Sequence, residues 1–147
     1  MREILFRAKN ADGGEWLEGY YEFGYDAETE TPTHYMWVVN HTEKYGEMFI
    51  VIPETVGQYT GLIDSHGKKV FEGDILEFTD ANNGYTWIGK IVFGNPHCQY
   101  SWGYNIVFVK GEKPNTDILL WFDMEETGAF SKIIGNIHDN PELIGGI

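Results

Sequence analysis

The sequence predicts an all-β, β-rich fold of several short antiparallel strands with few short helical turns. Three observations carry this reading. Apolar and polar residues alternate over short runs rich in β-branched and aromatic side chains. Helical periodicity is scarce, and clusters of Gly and Asn punctuate the chain at close intervals.

The elements follow in order. Glu3 to Lys9 sets Ile4, Phe6 and Ala8 on one face and Leu5, Arg7 and Lys9 on the other, the period of a strand. Asn10 to Gly14 (NADGG) is a turn cluster, so Trp16 to Phe23 is expected to return as a second strand. Gly24 to Thr33 reads as an acidic surface loop closing near Pro32. His34 to Asn40 (HYMWVVN) and Met48 to Ile52 (MFIVI) form an expected hairpin around the polar Thr42 to Glu47. Beyond Pro53 to Gly57, the pairs Leu62-Ile63 and Val70-Phe71 flank Asp64-Ser65-His66-Gly67. That is a turn with a mechanism: a carboxylate at the first position accepts backbone N–H groups, and Gly67 tolerates positive φ. Glu72-Gly73-Asp74 is a second reversal, making Asp64, Gly67, Gly73 and Asp74 the expected turn residues.

Asp74 to Thr79 is a strand with imperfect alternation, followed by the turn Asp80 to Gly84. Tyr85 to Phe93 and Tyr104 to Lys110 are strands on either side of the loop Gly94 to Gly103. After a turn region at Gly111 to Asp117, Ile118 to Phe122 suits either strand or helix, and Ile133 to His138 is the last strand. Asn140-Pro141-Glu142 opens a terminal helical turn, with Asn140 as N-cap, Pro141 at the first helical position and Gly145 as stop. At 147 residues the chain fits a single domain, 1–147, long enough to bury a core without staples. The break at Pro53 to Gly57 is a candidate internal boundary between an N-terminal β layer, 1–55, and a small barrel region, 56–147.

Composition removes several function classes. The chain carries 10 Lys+Arg against 23 Asp+Glu, a formal charge of -13, and has no Lys or Arg between Lys9 and Lys44. Proteins that bind nucleic acid gain affinity by replacing phosphate counterions with Lys and Arg, and no run beyond Lys68-Lys69 is available for that. Direct binding to nucleic acid or to an anionic membrane is therefore not expected. Cys98 is the single cysteine, so no intrachain disulfide forms. The start MREILFRAKN lacks the apolar run of a signal peptide, and no stretch reaches membrane-spanning length. The expected location is the cytoplasm, and the Asn40-His41-Thr42 sequon is read as chance.

Each candidate for chemistry in the chain also has a plain structural reading. The histidines His34, His41, His66, His97 and His138 form no HxH or HExxH pattern, and one cysteine beside dispersed histidines is weak support for zinc. Asp80 to Gly84 starts like a calcium loop, but its Gly stands one position early and Ile91 occupies the place of the bidentate Glu. The acidic pairs Glu72/Asp74 and Glu125-Glu126 read as solvated surface. The glycines of Val56 to Leu76 lack the GxxxxGK[ST] spacing of a phosphate cradle. No metal, no cofactor and no catalytic residue is expected. Tyr100 and Trp102, in a polar loop, are the candidate interaction surface, because Tyr and Trp favour interfaces.

Three segments together resemble the YopX family, proteins encoded largely by bacteriophages and prophages: MREILFRA, IPETVGQYTGLIDSHGKKVFEGDIL and IIGNIHDNPELI. The shared features are Arg2 and Phe6-Arg7 at the start, GQYTGL at Gly57 to Leu62, the D-x-x-G-K turn at Asp64 to Lys68, Glu72-Gly73-Asp74, and Ile134 to Leu143. The stretches Gly13 to Ile52 and Gly84 to Lys132 carry none of these motifs. The resemblance implies a β-rich fold with a C-terminal SH3-like barrel, a bacterial host, no established enzymatic activity and a tendency to homo-oligomerise. The leading expectation is thus a non-enzymatic module that contacts protein partners, a second copy of itself among them. The alternative is an acidic decoy that mimics nucleic acid and occupies a basic host protein. A hydrolase or nuclease using clustered carboxylates and a divalent ion ranks third.

Overall fold

The computed structural model describes residues 3–38, 46–94, 103–110, 122 and 129–145. It divides into two units, Met1–Tyr59 and Thr60–Ile147. Strands dominate both, so the fold is all-β.

In the first unit, β1 (Phe6–Lys9), β2 (Trp16–Tyr25), β3 (Pro32–Val38), β4 (Glu47–Ile50) and the start of β5 (Gly57–Ile63) are hydrogen-bonded in the order β4-β3-β2-β1-β5. All registered pairs are antiparallel, with Ala8 opposite Leu17, Tyr21 opposite Met36 and Met36 opposite Phe49. Because side chains alternate across a strand, this register gathers Phe6, Ala8, Leu17, Tyr21, Met36, Val38 and Val51 on one face. These residues form the core of the unit, with Ala8 and Met36 fully buried. A 3-10 turn at Pro53–Thr55 leads into β5, and the Thr55 hydroxyl accepts the Lys9 N–H at 2.9 Å.

The second unit begins within β5, whose neighbour is β6 (Lys69–Phe71). A four-stranded sheet follows, in the order β10-β7-β8-β9, from β7 (Asp74–Asp80), β8 (Thr86–Gly94), β9 (Gly103–Lys110) and β10 (Ala129–Asn136). Val70, Leu76, Phe78, Ile91, Ile106 and Phe108 make its core. The imperfect alternation of β7 has a simple cause: adjacent Ile75 and Leu76 are both fully buried, so the strand has no solvent face to mark with polar residues.

The structure corrects several expectations. No closed barrel forms among the described strands: β9 and β10 end the order, and a barrel requires its edges to pair. The expected loop at Gly24 to Thr33 shrinks to residues 26–31, because β2 runs on to Tyr25 and β3 starts at Pro32. The first strand starts at Phe6, and the last spans Ala129–Asn136 rather than Ile133 to His138. Pro141–Ile144 is a 3-10 turn stopped by Gly145 at φ 100°. Asn140, however, makes no side-chain cap; its Oδ1 instead accepts the backbone N–H of Asn136 at 3.3 Å. The turn region Gly111 to Asp117 and Ile118 to Trp121 lie outside the described residues, while Phe122 packs edge-on against Phe78 at 5.8 Å between ring centroids.

Candidate functional site

The face of the first unit's sheet opposite its core carries an unusual load of large apolar side chains. Register builds it in rungs: Tyr20 pairs with Trp37 and Trp37 with Met48, while Glu22 pairs with Tyr35 and Tyr35 with Ile50. Tyr20 is 57% exposed, Met48 49% and Ile50 48%, where a solvated strand face normally shows short polar residues. The next position along β2 on this face is Gly24, paired with Thr33. A Cβ there would stand 3.8 Å from Tyr35, so the missing side chain leaves open space above that ring.

That space is a groove of about 650 Å³. Tyr35 and Gly24 line it together with Trp37, Met48 and Ile50; Tyr25 at the end of β2 and Asp26 and Glu28 of the following loop complete the wall. The loop is tied down locally. Asp26 Oδ1 accepts the N–H groups of Glu28 at 2.9 Å and Thr29 at 3.0 Å, Glu30 takes φ 57°, and the Thr29 and Thr31 hydroxyls bond at 2.7 Å. The backbone N–H of Thr29, then that of Glu28, holds the Asp26 carboxyl below its ordinary range, so it is an anion at neutral pH. On the opposite wall the Trp37 indole N–H donates to Glu22 Oε2 at 2.6 Å, which fixes the ring beside a carboxylate. Glu22, Asp26 and Glu28 all line the groove, and among the described residues its lining contains no Lys, Arg or His. The arrangement is chemically simple: aromatic and thioether surface bordered by negative charge.

The turn residues singled out in the sequence lie in the second unit and hold backbone. Asp64, 4% exposed, accepts N–H groups from His66 and Lys68 at Oδ1, both at 2.9 Å, and from Ile133 of β10 at Oδ2, 3.2 Å. Burial opposes its charge, but the amides of Lys68, Ile133 and His66 and the nearby His66 ring outweigh that, so the carboxyl lies below its usual value. Gly67 takes φ 81° and closes the hairpin by donating to the Asp64 carbonyl at 3.0 Å. Ser65 and Ser131 lock the same turn to β10: the Ser65 N–H donates to the Ser131 carbonyl at 3.0 Å, and the Ser131 N–H to Ser65 Oγ at 2.9 Å. Asp74, 1% exposed, accepts the Phe71 N–H at 2.8 Å. Gly73 donates to the Ile91 carbonyl at 2.8 Å and accepts from Ile137 at 2.9 Å. Asn136 makes the last clamp, its Oδ1 accepting from His138 and Asp139 at 3.0 and 2.9 Å.

The YopX protein family matches residues 5–145, nearly the whole chain. The chain belongs to the YopX family. The crystal structure of protein EF1440 from Enterococcus faecalis is similar in fold, with a TM-score of 0.50 and 21% sequence identity over 98% of this chain and 99% of that one. No curated protein matches the chain. Of the YopX motifs quoted above, GQYTGL lies in strand β5, whose first residues belong to the first unit, while the Asp64 to Lys68 turn, Glu72-Gly73-Asp74 and the Asn-Pro ending lie at hydrogen-bonded turns of the second unit. The groove lies instead on strands β2, β3 and β4, in the stretch Gly13 to Ile52 that carries none of those motifs. Tyr100 and Trp102 of this YopX chain lie outside the described residues, as do His97, Cys98, Glu125 and Glu126. The groove is not legible in the sequence because Gly24, followed by acidic residues, reads as the start of a loop. The available signal was a glycine continuing the Tyr20-Glu22 face of a strand within an interval free of Lys and Arg.

Proposed function

We propose that this YopX protein is a non-enzymatic protein–protein interaction module that engages its partner through the outer face of the β2-β3-β4 sheet. One observation carries the reading: Tyr20, Trp37, Met48 and Ile50 stand exposed on adjacent rungs of a single face. Exposed apolar clusters of this kind mark interaction surfaces, and Tyr, Trp and Met are the side chains that interfaces favour. A second copy as partner is the harder case, since each chain brings a formal charge of -13 and like-charged molecules repel.

The decoy reading draws on the Lys- and Arg-free interval from Asn10 to Glu43. A surface that imitates nucleic acid needs charge spread as evenly as phosphates. Here carboxylates alternate with Tyr35, Trp37 and Met48, which favours a partner with apolar as well as charged contacts.

The test compares the wild-type chain with Tyr20→Ser/Met48→Ser in cross-linking and affinity capture, with sedimentation velocity run on both. Partners retained by the wild type and lost by the double variant are the expected result. Identical capture profiles and identical sedimentation would remove the face from consideration.

A further inference from the structure

Resting on that reading, we infer that the groove receives an arginine side chain from an extended basic segment of the partner protein. The charge of the groove selects the occupant. Glu22, Asp26 and Glu28 line it with no cation among its described lining residues, so against these an uncharged or anionic guest would desolvate carboxylates without compensating them. Among the described residues, Trp37 is the one side chain bonded to the Glu22 carboxylate, and the Glu28 carboxylate has no bond at all. Both therefore keep lone pairs for an incoming donor.

The aromatic walls narrow the choice further. A guanidinium is planar, weakly hydrated and able to stack on an indole while its edge N–H groups fork to a carboxylate; an ammonium does only the second, as a point charge. Trp37 and Glu22 present those two surfaces side by side, already bonded to each other at 2.6 Å. Met48 and Ile50 continue the groove with apolar surface suited to the methylene stem of the same side chain. The protein's own Arg7 and Lys9 do not serve as guests, because both lie over Trp16, 4.8 and 5.5 Å from its ring centroid.

The probes are a capped Gly-Arg-Gly-Arg-Gly peptide, its citrulline counterpart of equal shape and no charge, and the neutral oligosaccharide cellohexaose. Binding is followed at low salt through the Trp37 indole N–H resonance. The arginine peptide is expected to bind saturably and about tenfold more tightly than the citrulline one, as charge-assisted hydrogen bonds demand. Glu28→Gln is expected to weaken it by about three- to fivefold, the effect of losing one exposed charge pair. Gly24→Leu, which fills the groove without touching a charge, is expected to abolish binding while leaving the melting temperature close to wild type.

Equal affinity for the citrulline peptide, preference for cellohexaose, indifference to both substitutions, or no saturable binding would each overturn the inference. If those results appear while Tyr20→Ser/Met48→Ser still loses a captured partner, the interaction reading stands and only the arginine site falls. If the double variant also behaves as wild type, both fall.

Discussion

At Gly19 the strands β2 and β3 approach so closely that a Cβ would overlap the backbone carbonyl oxygen of Trp37. Backbone cannot swing aside as a side chain can, so Gly19→Ala is expected to destabilise the fold by about 2 kcal/mol or more, read from chemical denaturation. Asp64 sets a different constraint. Its carboxyl is held below the ordinary value of 3.8, so the stability it contributes is present at neutral pH and is lost as pH falls through the folded-state value. Asp64→Asn keeps an acceptor but no charge. The variant is expected to be less stable at pH 7 and to lose less on acidification, and denaturation midpoints across the acid range check both. Asp64→Ala, which strands three backbone donors, is expected to cost about 3 kcal/mol.

At the scale of elements, β7 and the β2-β3-β4 face make opposite demands. Phe78 of β7 is fully buried among Leu76, Ile91, Ile106 and Phe108, so Phe78→Ala is expected to cost about 3–5 kcal/mol through lost contacts and a cavity. Tyr20 and Met48 point away from the other core, and replacing both with Ser is expected to shift stability by less than about 0.5 kcal/mol per site. The strands themselves were largely legible. Alternation exposed β1 because Phe6 and Ala8 face a core while Arg7 and Lys9 do not. It blurred in β7, where both faces are buried, and it failed at the end of β2, where Gly24 and the acidic residues beyond it imitate a loop.

For the whole molecule, charge is the governing quantity. A formal -13 on 147 residues makes compaction work against self-repulsion, and mobile ions screen it over about 10 Å at 0.1 M. Moderate sodium chloride is therefore expected to raise the melting temperature relative to salt-free buffer, as scanning calorimetry can measure. The same salt is expected to weaken any partner held by the carboxylates of the groove. Among the described residues no helix is long and apolar enough to cross a membrane. Each unit carries its own hydrophobic cluster, one around Met36 and one around Phe78.

Sequence alone settled the β class, the hairpin at Asp64 to Gly67 and the reversal at Gly73, because each rests on residues close together in the chain, and the family, because three short motifs recur in a fixed order. Backbone sterics, side-chain-to-backbone bonds and the two-residue period act over a few positions and leave their marks there. Only the folded chain decided that the second sheet stays open, that the Asn140 side chain bonds Asn136 rather than capping the 3-10 turn it precedes, and that Glu22, Tyr35, Trp37 and Met48 meet across three strands around the space at Gly24. Those outcomes depend on pairing register and on what is absent between distant residues, and neither is written in any local pattern.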